Sequence, residues 1–234
     1  WRFDKVTAMY LIKQSFPLLL SGAAVVVYQK IDQVMLGNML DKEAVGYYAV
    51  AAAFISIIGF IPTVLSQTVT PILVQAHTQD KEDYRKKAQL FMNISTWVII
   101  VICVLVCLLA YPLIRYTYGT QYLAAIPILQ ITIFKEIGYA QSQCTGVMMI
   151  SEGIQKYVAI RNVMGCIVCV IFNLIFIPLW GVYGAAICSV ITSIVTGYIS
   201  HAIIPTYRKI FKIQTSSIII GWKDMINVRQ LLKH

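Results

Sequence analysis

Two opposite charges, Lys30 and Asp32, lie inside the apolar stretch from Phe16 to Leu40, which has the length and composition of a membrane-spanning helix. A charged side chain at bilayer depth costs at least about 2.5–3.5 kcal/mol, and proteins place one there where a partner or a wet cavity receives it. Residues two apart on an α-helix point about 200° apart. Lys30 and Asp32 are therefore predicted to face opposite sides, with Gln29 and Gln33 on the side of Asp32.

A second polar stripe follows on the fourth apolar segment of the chain. Lys135 and Glu136 begin it, and Tyr139 and Gln143 continue it at the three- and four-residue spacing of one helix face. A polar stripe on a spanning helix faces the interior of the bundle or water. The stripe is thus a second candidate wall of a polar site.

Two interpretations of these four charges remain open. In the first, the charges line a polar site on a transport path. In the second, they form ion pairs between helices that lock the bundle, Lys135 with Asp32 or Glu136 with Lys30.

The composition is that of a membrane protein. The chain is 59% hydrophobic and 12% charged, with a mean hydropathy of +0.74, whereas a soluble domain carries about 25% charged residues. We predict an all-α polytopic membrane protein, with a six-transmembrane-helix bundle over residues 1–205 and a basic cytoplasmic tail over 206–234. The predicted spans cover residues 15–39, 45–74, 91–114, 123–150, 157–177 and 182–205.

The basic residues predict the orientation. Of the 19 Lys and Arg residues, Lys42 and Arg115 fall on the side opposite the N-terminus, while Lys30 and Lys135 lie within spans and the others share the N-terminal side. Cytoplasmic loops carry such an excess, so both termini of this segment are predicted to be cytoplasmic. The same rule explains the net charge of +9 without a nucleic-acid partner.

The tail carries an apolar patch at residues 218–220. It is predicted to be either a helix on the membrane surface or a frayed end, and the sequence leaves both open. The sixth segment carries a ladder of small residues four apart, Ala185, Ser189, Ser193 and Gly197. Such a ladder predicts close packing against a neighbouring helix.

No motif for catalysis appears in the chain. The sequence has no G-x-S-x-G, Walker A or H-E-x-x-H pattern, and its three histidines have no ligand spacing. We therefore predict no catalytic residues, no enzyme activity, no metal site and no cofactor. All six cysteines lie in apolar segments, which argues against a disulfide framework.

Several motifs, in their order and spacing, resemble the second half of Wzx-type polysaccharide flippases. The sequence YQKIDQVMLG at 28–37, followed by VGYY at 45–48, is similar to the start of that half. YGTQY at 118–122 is similar to the approach to its fourth helix, and NLIFIP at 173–178 with GVYGAA at 181–186 to the turn between its last core helices. The resemblance covers about residues 8–205.

That resemblance implies a lobe of a transporter in the superfamily of multidrug, oligosaccharidyl-lipid and polysaccharide exporters. Its members have two helical lobes around a central cavity. They move undecaprenyl-diphosphate-linked oligosaccharides across the bacterial plasma membrane by alternating access. The chain is expected to be the C-terminal lobe, and its expected partners are a missing N-terminal lobe, the lipid-linked oligosaccharide and membrane lipids.

The resemblance also implies roles for the polar residues. Lys30 and Lys135 would offer positive charge to the diphosphate, although the family often has Arg at the position of Lys30, and Lys lacks the bidentate fork. Asp32 and Glu136 would hold these lysines or titrate with a coupling ion. Hydrogen bonds to sugar or phosphate are expected from Gln29, Gln33, Tyr139 and Gln143. The rival predictions are a lobe of a cation-coupled multidrug exporter and a non-transporting membrane scaffold.

Overall fold

The computed structural model describes residues 4–154, 156–204 and 207–223. These ranges contain helices and short connections and no strand, so the all-α prediction is confirmed for them. A 3-10 turn, Thr120–Tyr122, precedes α4, and a π-helical turn, Val195–Ile199, joins α6 to α7. The helices are α1 (Lys5–Met39), α2 (Lys42–Gln79), α3 (Lys81–Thr117), α4 (Ala125–Thr132), α5 (Lys135–Ser151), α6 (Lys156–Ile194), α7 (Ser200–Ile203) and α8 (Arg208–Ile220).

Three stretches among the described residues are long and apolar enough to cross a membrane by length and composition. They are Lys42–Gln79, Lys81–Thr117 and Ile160–Ile203. A straight helix of the 44 residues in the last stretch would measure about 66 Å, roughly twice the hydrocarbon thickness of a bilayer. The stretch is not straight, because α6 bends inside it.

Gly181 divides α6 into a first limb, residues 156–180, and a second limb, residues 182–194. Its φ of 57° and ψ of −134° lie outside the helical region, in a conformation that glycine adopts without steric cost. The thiol of Cys188 donates a hydrogen bond to the carbonyl oxygen of Cys169 at 3.3 Å. The two limbs therefore fold back and lie side by side.

The bend yields a first prediction, that Gly181→Ala lowers the free energy of unfolding by about 1–3 kcal/mol. An L-residue is strained at this φ, and such strain costs about that much. The measurement is the thermal midpoint of the full-length protein in detergent. Gly146→Ala is the matched control, because a Cβ there meets no heavy atom within 4 Å. A variant at Gly181 that melts with the wild type would contradict the strained turn.

Two apolar clusters occupy the two ends of the long helices. One gathers Tyr48, Ile99 and Leu129 with their neighbours, and the other gathers Leu73 and Met148 with theirs. α1 packs chiefly against α6, and α5 lies between α2, α3 and the second limb with its π-helical turn. This arrangement brings the polar faces of α1, α2, α5 and α6 together.

The prediction of a frayed end is wrong for the segment that forms α8. This helix packs against α3, with Ile210, Gln214 and Ser217 buried and residues 218–220 exposed. Its exposed residues are basic at the start of the helix, at Arg208, Lys209 and Lys212, and apolar at its end, at residues 218–220. Residues 224–234 of the predicted tail lie outside the described ranges.

Candidate functional site

A cavity of about 320 Å³ opens among α1, α2, α5 and the two limbs of α6. The predicted site residues that line it are Lys30, Asp32, Gln33, Lys135, Glu136 and Tyr139. Gln143 lies behind this lining, and the side chain of Gln29 falls outside the described part of the chain. The two polar stripes found in the sequence thus meet in one cavity.

Asp32 is the most heavily hydrogen-bonded acid of the cavity, and it is only 3% exposed. Its carboxylate accepts hydrogen bonds from the hydroxyl of Tyr48 at 2.7 Å and from Nδ2 of Asn173 at 2.6 Å. The thiol of Cys169 adds a weaker contact at 3.3 Å. Asp32 therefore joins α1 to α2 and to the first limb of α6.

These contacts show that the predicted ion pairs between the first and fourth segments are wrong. Asp32 accepts instead from neutral donors, because Tyr48 and Asn173 reach it from two other helices. Lys30 is exposed and Lys135 is half-buried, and neither lies within 4.0 Å of a described carboxylate. In the described ranges, ion pairs within that distance join side chains four apart on α3: Glu82 with Lys86, and Asp83 with Lys87.

The helical geometry predicted for Lys30 and Asp32 explains their different exposures. Asp32 is buried, whereas Lys30 is exposed. Both nevertheless line the same cavity.

Glu136 supplies a second buried acid, at 4% exposure. It lies against the backbone of α2, where a Cβ on Gly59 would come within 3.0 Å of Oε2 of Glu136. That oxygen has no hydrogen-bond partner among the described residues. A buried carboxylate oxygen without a donor is costly.

Three polar side chains join α2 to α5 at the cavity wall. Nε2 of Gln143 donates to Oγ1 of Thr63 and to the hydroxyl of Tyr139, both at 3.1 Å. The oxygens of Thr63 and Tyr139 are also 3.1 Å apart. Gln143 therefore holds Tyr139 and Thr63 in place, whereas the sequence predicts that it contacts substrate directly.

The second limb and its π-helical turn contribute a wall of hydroxyl groups that sequence reasoning missed. Ser189, Ser193, Thr192 and Thr196 line the cavity, although the ladder assigned the two serines to packing. Ser193 has both roles, since its hydroxyl also donates to the carbonyl oxygen of Lys135 at 2.5 Å. The sequence signal for this wall was the four-residue spacing of Thr192 and Thr196, which lie beside the ladder of small residues.

The predicted close packing of the ladder is confirmed where it meets α5. A Cβ on Gly138 would lie 2.5 Å from the carbonyl oxygen of Ser193, and one on Gly197 would collide with the carbonyl oxygen of Gly138. The two backbones are therefore in direct contact. This contact fixes the spacing of two cavity walls.

The described residues include one group of potential metal ligands. A carboxylate oxygen of Asp32 and the thiols of Cys169 and Cys188 lie within 4.8 Å of one another. Both thiols donate hydrogen bonds, to Asp32 and to the carbonyl oxygen of Cys169. Each of the three groups therefore has a hydrogen-bond partner within the protein.

Comparison with known proteins gives both a family and a fold. The sequence matches the profile of a polysaccharide biosynthesis protein family over residues 1–127, just over half of the chain. No curated protein matches it. The fold is similar to that of the lipid II flippase MurJ in an inward closed conformation, with a TM-score of 0.71 and 16% identity over 97% of this chain and 50% of that one.

A second solved structure has the same fold. It is an outward-facing multidrug resistance MATE family transporter of the MOP superfamily, with a TM-score of 0.68 and 19% identity over 78% of this chain and 42% of that one. The chain thus spans about half the length of the transporters that it matches. At these identities the likeness establishes the fold, and the predicted all-α membrane bundle is confirmed.

Proposed function

The chain belongs to the polysaccharide biosynthesis protein family, and we propose that it forms the C-terminal lobe of a flippase for lipid-linked oligosaccharide. The flippase translocates undecaprenyl-diphosphate-linked oligosaccharide across the bacterial plasma membrane by alternating access. The chain spans the membrane six times, with both termini of this segment in the cytoplasm. An N-terminal lobe completes the cavity, so this lobe alone is not expected to transport.

The observation that carries the proposal is the pair of lysines in one cavity. Lys30 and Lys135 both line it, and no described carboxylate lies within 4.0 Å of either. Their charges are therefore free to meet an anion. A diphosphate carries a negative charge on each phosphate, and a lysine binds phosphate as a point charge.

The neutral polar groups suit the glycan part of such a substrate. Gln33, Tyr139 and the hydroxyls of the second limb line the cavity with donors and acceptors, and Gln29 is proposed to extend this set. Gln143 contributes by holding Tyr139. Oligosaccharides present many hydroxyls that require such partners.

Asp32 and Glu136 are the proposed groups for ion coupling. Both carboxylates are buried beside the lysines. When a cation or a proton neutralises them, the cavity keeps the two lysine charges for the anionic substrate. Loss of that cation or proton would weaken the hold on the substrate, and this links the ion to release.

Asp32→Asn tests the coupling, because it removes the charge and keeps the shape. The variant is expected to fold and to lose at least about tenfold of gradient-driven transport, since one charge-dependent contact is worth about 1.5–3 kcal/mol. The measurement is transport in proteoliposomes with an imposed proton or sodium gradient. Asp41→Asn is the matched control, because Asp41 caps α2 through its side chain and Asn caps equally well. An unaltered response to the gradient in the variant at Asp32 would remove this residue from the coupling.

The function itself is tested by reconstituting the full-length transporter with lipid-linked oligosaccharide in one leaflet. We expect the glycan to become accessible to an impermeant glycosidase on the opposite side. The multidrug alternative predicts instead that vesicles accumulate a cationic dye. Dye transport without glycan translocation would overturn the proposal.

A further inference from the structure

We propose that α8 clamps one end of the cavity, with Gln214 as the residue that positions the two helices lining that end. The clamp itself is argued from contacts within this chain. Its consequence for transport rests on the function proposed above. The end concerned is the one lined by Ser142 of α5 and Thr196 of the π-helical turn.

Gln214 is completely buried and reaches both helices at once. Its Nε2 donates to the carbonyl oxygen of Gly197 at 2.7 Å and to Oε1 of Gln141 at 3.1 Å. Gln141 directly precedes Ser142, and Gly197 directly follows Thr196. The two amide hydrogens of Gln214 thus bond to Gln141 and Gly197, and each of these residues is adjacent in sequence to one that lines the cavity.

The bridge crosses the tightest contact between those walls. Gly138 and Gly197 meet backbone to backbone, so α5 and the π-helical turn are already in contact where Gln214 joins them. α8 also contacts the turn through Tyr198, whose hydroxyl lies 2.9 Å from Oγ1 of Thr215. The ring of Phe211 packs against that of Tyr198, with centroids 5.0 Å apart and the ring planes tilted by 48°. π-helical turns are often found at functional sites, and this one is covered by α8.

Further contacts dock α8 on α3. The hydroxyl of Ser217 donates to Oγ1 of Thr96 at 3.2 Å, and the same oxygen accepts from Nε2 of Gln141 at 2.6 Å, so this contact belongs to the network of the bridge. The indole of Trp97 donates to the carbonyl oxygen of Ser217 at 3.0 Å, and Trp97 does not line the cavity. Since this indole contact docks α8 without passing through Gln141 or Gly197, Trp97→Phe offers a matched control for Gln214.

The bridge makes departure of α8 costly. If α8 left its site, Gln141 and the carbonyl of Gly197 would each lose a buried hydrogen bond, which is costly away from water. Docking of α8 therefore stabilises the contact between α5 and the π-helical turn. The position of α8 sets how firmly this end of the cavity is held.

The test compares Gln214→Met with Trp97→Phe in the full-length protein in lipid nanodiscs. Met has nearly the length of Gln and no donor, and Phe removes the indole donor of Trp97. Hydrogen exchange is measured for peptides covering 138–145 and 195–201, with 45–60 of α2 as an internal reference. We expect at least a fivefold rise in exchange for the first two peptides in Gln214→Met, and wild-type values for them in Trp97→Phe. Unchanged protection in Gln214→Met, or an equal rise in both variants, would overturn the clamp.

The exchange experiment needs no substrate, so its result is independent of the proposed function. In a flippase assay, Gln214→Met is expected to raise the half-saturating concentration of lipid-linked oligosaccharide at least threefold, while Trp97→Phe leaves it within twofold. Faster exchange with unchanged transport parameters would overturn the positioning role. A wild type that moves no glycan would overturn the proposed function and leave the exchange result standing.

If Gln214→Met does not fold, Gln214→Asn replaces it. Asn keeps both donors on a shorter side chain and cannot span Gln141 and Gly197 together. It is expected to raise exchange in one of the two peptides, and protection of both would overturn the clamp.

Discussion

Gly197→Val is expected to prevent the bundle from assembling stably. A Cβ on Gly197 would collide with the carbonyl oxygen and carbon of Gly138, and these are backbone atoms that cannot rotate away. Gly138 is also in contact with the backbone of Ser193, so the added side chain would force apart an interface that is tight at two successive turns. Overpacking of side chains alone costs about 1–3 kcal/mol, and a clash between backbones exceeds that range.

The measurement is the thermal midpoint of the full-length protein in detergent. A loss above about 3 kcal/mol lowers the midpoint of a chain of this size by roughly 10 °C, and much of the variant is expected to aggregate during expression. Gly146→Val is the control, because a side chain at Gly146 meets no heavy atom within 4 Å. A variant at Gly197 that melts like the control would mean that α5 and the π-helical turn are not in contact.

Local spacing in the sequence predicts this contact for a clear physical reason. Small residues four apart line one face of a helix, so the ladder containing Ser193 and Gly197 identifies a surface of close approach. The same spacing places Tyr139 and Gln143 on one face of α5. Local spacing does not identify the residue that Gly197 contacts, because Gly138 lies about 60 residues away in a separate helix.

The partners of Asp32 show where sequence reasoning fails. Matching opposite charges suggested a lysine, but the carboxylate accepts from Tyr48 and Asn173. The sequence contains many neutral hydrogen-bond donors, so residue type alone does not identify the ones that reach Asp32. The relative rotation of α1, α2 and α6 decides which of them reaches Asp32, and that rotation depends on packing across the whole bundle.

Neither the π-helical turn nor the docking of α8 can be predicted from local sequence patterns. Residues 195–199 contain Gly197, but a single glycine does not distinguish a π-helical turn from an ordinary helix. The burial of Gln214 departs from the usual amphipathic rule, because the same helix exposes the isoleucines at 218–220. The tail therefore resembles a surface helix or a frayed end until α3 and α5 are placed beside it.

Replacing both cavity lysines is expected to reduce transport of lipid-linked oligosaccharide at least about a hundredfold. A hydrogen bond to a charged group contributes about 1.5–3 kcal/mol, so Lys30→Ala and Lys135→Ala should each cost roughly tenfold or more. Neither lysine forms an ion pair within 4.0 Å in the described ranges, so the thermal midpoint should stay close to that of the wild type. Initial rates in proteoliposomes check the effect.

Lys42→Ala is the matched control for charge. Lys42 is exposed at the start of α2 and does not line the cavity. It is expected to transport like the wild type. If it loses as much activity as the cavity variants, net charge rather than the cavity explains the effect.

The central claim is that Lys30 and Lys135 together receive the diphosphate. Its most direct test is the equilibrium affinity of the full-length protein for undecaprenyl-diphosphate-linked oligosaccharide, in the wild type and in the Lys30→Ala/Lys135→Ala variant. The account predicts about a hundredfold weaker binding in the variant, and a smaller change when the same glycan is carried on a monophosphate. Equal affinities in two well-folded proteins would contradict it.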